Sequence, residues 1–302
     1  MRRVLVTGAS GFIGSHSLSA LQSKGYEVHA TWFKNRRDVD GVEWHRADLL
    51  DIAAIGTLMR EVQPTHLLHL AWYAVPRDYR ESLENLKWSE SGMRLLSEFA
   101  EQGGNRAVFA GSCFEYDLRH GFCSEDLTPS VPSTFYGTCK DSLRRAVLEF
   151  SGRAGLSTAW GRIFYLYGPS EPRERLVPSV IISLLRGGKA RCSHGRQVRD
   201  FLYVEDVAEA FVELLDSEAR GVINIGSGEP VTIRSLVGEI ARQINMSDQV
   251  EFGAIEPAPG EPPMICADVR KLREQVGWKP RCSLEDSIAE TIKWWRNNGQ
   301  AG

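Results

Sequence analysis

Strand-like and helix-like segments alternate along the first half of the chain, and this alternation predicts an α/β protein. Two further observations support that fold class: a glycine-rich turn joins the first strand to the first helix, and proline-containing turns break the rhythm after Gly168-Pro169. Strands joined by helices run parallel, and the helices cover both faces of the sheet. The sequence therefore predicts a doubly wound parallel sheet with a smaller C-terminal α/β lobe.

The elements of the sheet follow one another in chain order. Arg3 to Val6 is a short apolar run typical of a buried strand, and helical apolar spacing from Ile13 to Lys24 stops at Gly25. Further strands are predicted at 26–33, 42–46, 66–71 and 106–110, and further helices at 51–62, 82–102 and 134–153. We expect the smaller lobe to cover the carboxyl ends of the strands, where such sheets bind ligands.

Composition excludes several classes of protein. With 302 residues, 42% hydrophobic and 25% charged, the chain has the composition of a soluble globular protein with a large core. A net charge of -3 and scattered Lys and Arg residues argue against nucleic-acid binding. No apolar run reaches membrane-spanning length, and the first one ends at Thr7-Gly8, too short for a signal peptide. Six cysteines without a Cys-x-x-Cys pair or a metal spacing predict free thiols, no bound metal and a cytoplasmic location.

The glycine-rich turn is spaced for a dinucleotide. Gly8 permits a tight turn from strand to helix, Gly11 lets the backbone approach a pyrophosphate, and Gly14 lets the helix pack close to the strand. The helix N-terminus then presents amide donors to the phosphates. This pattern predicts a Rossmann-type domain. We assign residues 1–165 to it, with a return segment near 196–224, and residues 166–195 and 225–302 to a substrate-binding lobe.

A second motif supplies polar groups for proton transfer. Tyr136 and Lys140 are four residues apart in a predicted helix, so the phenol and the ammonium project from the same face. A carbonyl that accepts a hydride needs a proton donor within hydrogen-bond reach and a second polar group to orient it. Tyr136 can donate that proton, and Ser112, at a predicted strand end, can hold the carbonyl oxygen.

In this order, the motifs resemble the extended short-chain dehydrogenase/reductase family, in its nucleotide-sugar epimerase, dehydratase and reductase branch. The resemblance runs through TGASGFIG at 7–14, Asp48-Leu49, His69-Leu-Ala71, Ser112, Tyr136 to Lys140, RDFLYVED at 199–206, NIGSG at 224–228 and GWKP at 277–280. It implies that Ser112 orients the substrate carbonyl and that Tyr136 is the acid. It also implies that Lys140 favours the phenolate and binds the nicotinamide ribose. The implied cofactor contacts are Gly8, Ser10, Gly11, Phe12, Ile13, Gly14, Asp48, Leu49, Leu70, Ala71, Tyr136 and Lys140.

The chain departs from the family pattern where the adenosine ribose binds. Trp32 stands where NAD-preferring members carry an acid, and Lys34, Arg36 and Arg37 follow it. An acid repels a ribose phosphate, whereas these cations would attract one. We therefore expect NADP(H), with NAD as the alternative; the alternative for the three cations is a solvated basic loop.

A second departure concerns elimination chemistry. Dehydratases of this family follow the catalytic hydroxyl residue with an Asp-Glu pair, whereas here Ser112 precedes Cys113 and Phe114. Glu115 is one position further on, and in a continuing strand it would point to the opposite face. The resemblance therefore argues against a dehydratase.

The substrate lobe departs furthest from the pattern. Arg199 matches the arginine that grips the nucleotide diphosphate, a role suited to a planar donor fork. Tyr165 stands where an Asn is common, Arg175 replaces an Asn, and Ala258 stands where a second arginine is often found. We expect Tyr165, Arg175 and Arg199 to contact the substrate.

A local ion pair of Arg199 with Asp200 or Glu205 is the alternative to a substrate contact.

The activity that the resemblance implies is NADPH-dependent reduction of a keto group, at C4, of a nucleotide-linked 6-deoxy sugar, as in deoxysugar biosynthesis. The first alternative is a nucleotide-sugar 4-epimerase that retains its NAD(P), and the second is a non-catalytic dinucleotide-sensing protein. The family also implies a homodimer that pairs helices 82–102 and 134–153.

Overall fold

The computed structural model describes residues 2–36 and 38–299. Its strands are β1 (Arg3–Thr7), β2 (Glu27–Trp32), β3 (Val42–Arg46), β4 (His66–His69), β5 (Arg106–Ser112), β6 (Phe122–Cys123), β7 (Ser157–Ile163), β8 (Tyr165–Tyr167), β9 (Ala190–Cys192), β10 (Val198–Arg199), β11 (Phe201–Tyr203), β12 (Gly221–Ile225), β13 (Val231–Thr232), β14 (Val250–Phe252) and β15 (Met264–Ala267). Its α-helices are α1 (Gly14–Ser23), α2 (Ile52–Val62), α3 (Glu84–Glu101), α4 (Phe135–Ala154), α5 (Leu176–Leu185), α6 (Val204–Asp216), α7 (Ile233–Ile244) and α8 (Leu284–Asn298). Among these helices, none combines the length and apolar composition needed to cross a bilayer.

Within the described residues, seven strands form one parallel sheet in the order β12-β7-β5-β4-β1-β2-β3. One face packs on α1 and α6 through residues such as Val4, Val28 and Phe211. The other face packs on α2, α3 and α4 through residues such as Leu5 and Phe99. The chain reverses its direction of strand addition between β1 and β4, which is where doubly wound sheets bind ligands. The predicted fold class is confirmed.

The smaller lobe is built around α5, α7 and α8, which pack on one another. Their shared core includes Ile181, Ile240, Ile292 and Trp295, all nearly inaccessible to solvent. Small sheets of two to four strands border this core. One of them, in the order β13-β10-β15-β6, includes β6 from the first half of the chain.

The return of the chain to the main sheet lies at α6 and β12. α6 packs against α1, and β12 pairs in parallel with β7 at the edge of the sheet. Strands β10 and β11, at the start of the segment 196–224, pair instead with β13, β15 and β8. We keep the division into a dinucleotide-binding domain and a substrate lobe as our interpretation.

The cysteines are unpaired, and most are buried. Cys113, Cys123 and Cys139 are free and lie inside the protein. Burial raises the pKa of all three thiols, to about 12 for Cys123. A thiol with a raised pKa is a poor nucleophile, so these side chains fill space as small apolar groups.

Candidate active site

A cleft of about 630 Å³ opens at the carboxyl ends of β1, β4, β5 and β7, between the main sheet and the smaller lobe. It is lined by thirteen of the predicted site residues: Gly8, Gly11, Phe12, Ile13, Gly14, Leu70, Ala71, Ser112, Tyr136, Lys140, Tyr165, Arg175 and Arg199. The two motifs that the sequence separates by more than a hundred residues therefore meet in one cavity. A cavity of this size suits a drug-sized or cofactor-sized ligand.

The glycine-rich turn forms one end of the cleft, and its packing requires glycine. Gly8 has φ of +73°, and a Cβ there would lie 2.6 Å from the backbone nitrogen of Ala71. A Cβ on Gly14 would lie 2.2 Å from the carbonyl oxygen of Gly8. Helix α1 begins here without a side-chain cap. The amides of Ser15 and His16 already donate to backbone carbonyl oxygens of this segment, so the amides before them, of Ile13 and Gly14, are those that a ligand can use. The turn fits a dinucleotide pyrophosphate, which would bind to these amides.

Helix α4 delivers Tyr136 and Lys140 to the cleft. Thr134 caps its N-terminus, where the Thr134 hydroxyl accepts a hydrogen bond of 3.1 Å from the N–H of Gly137. A Cβ on Gly137 would lie 2.2 Å from the carbonyl oxygen of Phe114, so a glycine lets α4 approach the end of β5 closely. This close approach brings the phenol of Tyr136 near Ser112.

Tyr136 lies among aromatic rings. Its ring makes edge contacts with Tyr79, Trp72 and Phe114, at centroid distances of 5.0, 6.2 and 6.4 Å. Burial raises the pKa of Tyr136 far above its ordinary value, and the interaction with the Ser112 side chain lowers it by less. The phenol therefore stays protonated at neutral pH and is suited to donate a proton.

Lys140 is buried beneath the cleft. Its ammonium donates a hydrogen bond of 2.8 Å to the carbonyl oxygen of Ala110 and lies 3.6 Å from the ring centroid of Trp72. Burial lowers the pKa of Lys140 to about 7, against an opposing effect of Glu115. Burial therefore sets the pKa of Tyr136. The Lys140 ammonium, which was expected to favour the phenolate, does not set it.

Ser112 ends β5 and starts a short 3-10 helix, Cys113–Glu115. Its hydroxyl accepts a hydrogen bond of 3.3 Å from the N–H of Phe114, and its own N–H donates one of 2.7 Å to the Glu115 carboxylate. This reciprocal capping fixes the strand end. Ser112 is thereby held with its side chain on the wall of the cleft.

Glu115 has a structural role. The strand does not continue to it, and the turn carries its side chain into the protein, where it is fully buried. Its carboxylate accepts hydrogen bonds from Arg162 Nε at 2.7 Å and from Trp160 Nε1 at 3.0 Å. Glu115 does not line the cleft, and because its carboxylate is already hydrogen-bonded it is not available to act on a substrate. The expectation that Glu115 faces away from the site is met, but by a turn instead of strand alternation.

Arg199 lies on the substrate side of the cleft and is paired. Its guanidinium donates hydrogen bonds of 2.7 Å to Glu261 and 2.8 Å to the carbonyl oxygen of Val198, and it lies 5.5 Å from the ring of Tyr165. The alternative pairing with Asp200 is wrong, because Asp200 instead accepts hydrogen bonds from neighbouring backbone and hydroxyl groups. The Arg199 side chain is 2% exposed, so its charge acts in a nearly dry environment.

The other candidate partner of Arg199, Glu205, lies 3.9 Å from His16 Nδ1 on the surface.

Sequence reasoning missed Glu171, on the loop between β8 and α5. This residue lines the cleft and is 7% exposed, and its Oε2 has no hydrogen-bond partner among the described residues. Burial raises the pKa of Glu171 to about 8, although Arg175 and the amide of Gly168 act in the opposite direction. A carboxyl group in this state is neutral near pH 7 and is costly to ionise.

Sequence reasoning also missed the loop after β4. Trp72, Tyr79 and Arg80 line the cleft, and Arg80 lies 4.7 Å from the ring of Phe114. The Arg80 carbonyl accepts a hydrogen bond of 2.8 Å from the N–H of Tyr136. Their position directly after the Leu70-Ala71 motif was the available signal, since ligands bind beyond the carboxyl ends of the strands.

Several predicted cofactor contacts lie outside the cleft lining: Ser10, Lys34, Arg36, Asp48 and Leu49. Arg36 Nη2 is 2.7 Å from Asp38, and its guanidinium lies 5.9 Å from the ring of Trp32. Arg37 lies outside the described residues. Their roles stay predictions.

Asp48 and Leu49 lie in the turn that follows β3. The Asp48 carboxylate accepts a hydrogen bond of 3.0 Å from the N–H of Leu50. Leu49 is buried in the core beside the sheet.

Fold and cleft together define a class of protein: a Rossmann-type parallel sheet with a cleft at its switch point whose glycine-rich turn fits a dinucleotide. Residues 4–226 match the model of the NAD dependent epimerase/dehydratase family. The chain belongs to this family, which confirms the resemblance seen in its motifs.

Three comparisons describe the relatives. The chain is 26% identical to a UDP-glucose 4-epimerase of Rhizobium leguminosarum bv. trifolii, with 98% of both chains covered. It is 28% identical to a UDP-N-acetyl-alpha-D-glucosaminuronate decarboxylase of Bacillus cytotoxicus, again with 98% of both covered. It is 28% identical to the UDP-glucose 4-epimerase of Thermus thermophilus, solved in complex with NAD, with a TM-score of 0.86 and 98% and 99% of the two chains covered. The relatives thus share nucleotide-sugar substrates while their reactions differ.

Proposed function

We propose that this protein is an NADPH-dependent reductase acting on C4 of a nucleotide-linked 4-keto-6-deoxy sugar. The observation that carries the proposal is the meeting of Ser112, Tyr136 and Lys140 in one cleft with a dinucleotide turn, without a free carboxylate beside Ser112. Such a site can move a hydride and a proton, and among the described residues the carboxylate next to Ser112, that of Glu115, is already held by Arg162 and Trp160.

Each residue has a defined part in this reaction. The nicotinamide, when bound, supplies the hydride. Ser112 orients the substrate carbonyl, and Tyr136 donates a proton to the oxygen as negative charge develops on it. Lys140, which lines the cleft, would hold the hydroxyl groups of the nicotinamide ribose, and in its charged form it would stabilise the phenolate left after proton transfer. Burial raises the pKa of Tyr136, and the side chain of Ser112, which interacts with the phenol, lowers it by less; this interaction supports a shared contact of the two hydroxyl groups with the substrate oxygen.

The adenosine end of the site supports NADP(H). β2 ends at Trp32, which presents no carboxylate to the ribose hydroxyls, and Arg36 and Arg46 lie 5.9 and 5.7 Å from its ring. A cation near that position favours a ribose phosphate. NADP(H) suits a reductase, because a reductase oxidises its cofactor in each turnover and must exchange the oxidised form for a reduced one.

The substrate side supports an anionic, nucleotide-linked substrate. Arg199 and Arg175 both line the cleft, and Arg175 lies 5.1 Å from the ring of Tyr79, which itself contacts Tyr136. A diphosphate bound by Arg199 would be anchored away from the reacting carbon, so that its binding energy orients the sugar.

A nucleotide-sugar 4-epimerase is the second candidate. It is favoured by the relatives, among which are UDP-glucose 4-epimerases, and by a similar structure that contains NAD. An epimerase uses the same three side chains but keeps its cofactor, because the hydride returns to the opposite face of the sugar.

Cofactor balance tests the proposal. The purified protein is given NADPH and a nucleotide-linked 4-keto-6-deoxyglucose, and separately UDP-glucose without added cofactor. A reductase oxidises one NADPH for each sugar reduced and leaves UDP-glucose unchanged. Conversion of UDP-glucose to its C4 epimer, with no net oxidation of cofactor, would instead establish the epimerase, and binding without turnover would indicate a sensor.

We further propose a homodimer that pairs α3 and α4. Leu86 and Met93 on α3 are 63% and 42% exposed, and Phe150 on α4 is 37% exposed. Exposed apolar side chains on adjacent helices suit an interface with a second copy. Light scattering should give the mass of a dimer for the parent and of a monomer for Leu86→Glu combined with Met93→Glu. The buried free thiols fit a reducing compartment, so we place the protein in the cytoplasm.

A further inference from the structure

Strands β2 and β3 bring two imidazoles and a carboxylate together at the edge of the main sheet. His29 on β2 is paired with Glu43 on β3, and Thr31 is paired with His45, so the three titratable side chains share one face. His29 Nδ1 lies 2.9 Å from His45 Nε2. The Glu43 carboxylate lies 3.7 Å from His29 Nδ1 and 3.8 Å from His45 Nε2. All ligand atoms lie within 4.8 Å of one another.

A second carboxylate fixes the orientation of His29. Its Nε2 lies 3.1 Å from Glu27 Oε1. An ionised carboxylate can accept but not donate, so His29 donates from Nε2 to Glu27 and its Nδ1 accepts the hydrogen bond from His45 Nε2; a metal ion between the rings would take the place of that proton. Carboxylates in this position set the tautomer of metal-binding histidines. His29 is therefore oriented as a metal ligand before any ion binds.

His45 and Glu43 can complete a coordination shell. His45 Nε2 faces His29 Nδ1, and the His45 side chain is 16% exposed, so an ion can reach the space between the two nitrogens from solvent. Two nitrogens at about 2.0–2.1 Å from a tetrahedral zinc ion are about 3.3 Å apart, so the pair must separate by a few tenths of an ångström. The Glu43 side chain is 66% exposed, which leaves it free to move and gives an ion access from solvent.

The charge around the pair also suits a cation. Glu27 and Glu43 belong to the cluster, and Glu61 on α2 acts electrostatically on His45. Arg3 pairs with Glu27 at 3.1 Å, so Glu43 and Glu61 are the carboxylates that add negative charge next to the two imidazoles.

We propose that His29, Glu43 and His45 form a binding site for a divalent transition metal ion of the zinc type, with water as a fourth ligand. Two imidazoles and one carboxylate are ligands that zinc accepts. None of the three lines the catalytic cleft, so the site is separate from the proposed reductase activity. The bound ion would join the edge strand β3 to β2, next to the segment that follows Trp32. The sequence expectation of no metal rested on cysteine spacing, whereas these ligands come from two strands.

Zinc binding to the untagged full-length protein tests the proposal. Calorimetric titration with ZnCl₂ should give one ion per chain, and Co²⁺ should give the visible absorption of a tetrahedral nitrogen and oxygen site. Zinc should also raise the melting temperature, since an ion that binds the folded state stabilises it. His45→Gln should abolish binding at this site. Glu43→Gln should weaken it at least about tenfold, the smallest loss typical for an orienting partner.

His120→Gln is the matched control, because His120 is exposed and distant from the cluster in the fold. It should bind zinc as the parent does. Equal affinity in the parent, His45→Gln and Glu43→Gln would overturn the proposal, as would the absence of saturable binding in the parent. Should His45→Gln fail to fold, Glu43→Gln decides, since its side chain is exposed. NADPH oxidation should be the same in all variants, which separates this result from the test of the reductase.

Discussion

The two walls of the cleft differ in how completely their polar groups are paired. On the wall formed by β5 and α4, Ser112 and Lys140 each have defined hydrogen-bond partners. On the wall formed by the loop before α5, one oxygen of the buried Glu171 carboxyl has no hydrogen-bond partner in the part of the chain that the structure describes. Polar groups that already have hydrogen-bond partners are held in position. A buried polar group without a partner can still form a hydrogen bond with a ligand. The comparison indicates that the fold fixes the positions of Ser112 and Lys140, whereas Glu171 on the opposite wall is less completely constrained by hydrogen bonds.

The largest effect is expected on the paired wall. Tyr136→Phe removes the acid but keeps the ring packed among its aromatic neighbours, and loss of a general acid typically lowers the rate by about 10²- to 10⁴-fold. Steady-state reduction of a nucleotide-linked keto sugar measures this loss, and fluorescence titration checks that NADPH affinity is unchanged. Tyr73→Phe is the matched control, because its hydroxyl bonds Asp78 on the surface. A Tyr136→Phe variant with the parent rate would show that the acid lies elsewhere.

Arg199 tests whether the substrate wall binds a diphosphate. Arg199→Ala should raise the KM for the nucleotide sugar about 30-fold or more, since truncating one partner of a buried charge pair costs about 2–5 kcal/mol. Arg199→Lys should recover part of the loss, because an ammonium lacks the planar fork. Both variants are compared on the nucleotide sugar and on a small uncharged ketone.

The pairing of Arg199 with Glu261 supplies the control. Glu261→Gln removes the charge of the partner while keeping its shape and a hydrogen-bond acceptor. A loss confined to the nucleotide sugar in Arg199→Ala, with little change in Glu261→Gln, supports a diphosphate contact. Equal losses on both substrates with a lower melting temperature would show that Arg199 acts as a structural ion pair.

The buried carboxyl of Glu171 should make the free energy of unfolding depend on pH. Its carboxyl keeps its proton up to about pH 8 in the folded protein and loses it near pH 4.5 when unfolded. Between these values the folded state binds more protons, so the free energy of unfolding falls as pH rises. Glu171→Gln should lack this fall and be more stable than the parent at pH 8 by on the order of 2 kcal/mol. Urea unfolding at several pH values measures it.

Glu174→Gln, an exposed position on the same loop, is the control and should follow the parent at every pH. Identical slopes for the parent and Glu171→Gln would mean that Glu171 is ionised in the folded protein, and the contrast between the walls would lose its main support.

Local patterns predicted the paired wall well. The helix carrying Tyr136 and Lys140 was expected at 134–153 and runs from Phe135 to Ala154, because apolar spacing and a threonine cap are properties of neighbouring residues. Ser112 was predicted from the family resemblance together with the Tyr136 and Lys140 pair, since its position near a strand end would by itself suit a turn. The strand itself extends two residues beyond the predicted 106–110.

The rest depends on contacts between distant segments. Glu171 is an ordinary surface residue by sequence, and its burial arises where the loop before α5 packs against the cleft. The pairing of Arg199 with Glu261 joins residues 62 positions apart. The cluster of His29 and His45 requires the register of two parallel strands. None of these follows from local propensity, which is why the substrate wall was predicted less completely.

The smallest effect is expected outside both walls, in the segment that follows β2. Neutralising Lys34, Arg36 and Arg37 together to Ala should weaken NADPH binding about tenfold, through lost charge-assisted contacts to one phosphate in an exposed setting. NADH binding should change little, because it lacks that phosphate. The control, Lys189→Ala with Arg191→Ala, removes exposed charges from the smaller lobe and corrects for net charge. Dissociation constants for both cofactors at two salt concentrations measure the effect. Equal weakening of NADPH and NADH, or a preference of the parent for NADH, would assign the cofactor as NAD and favour the epimerase.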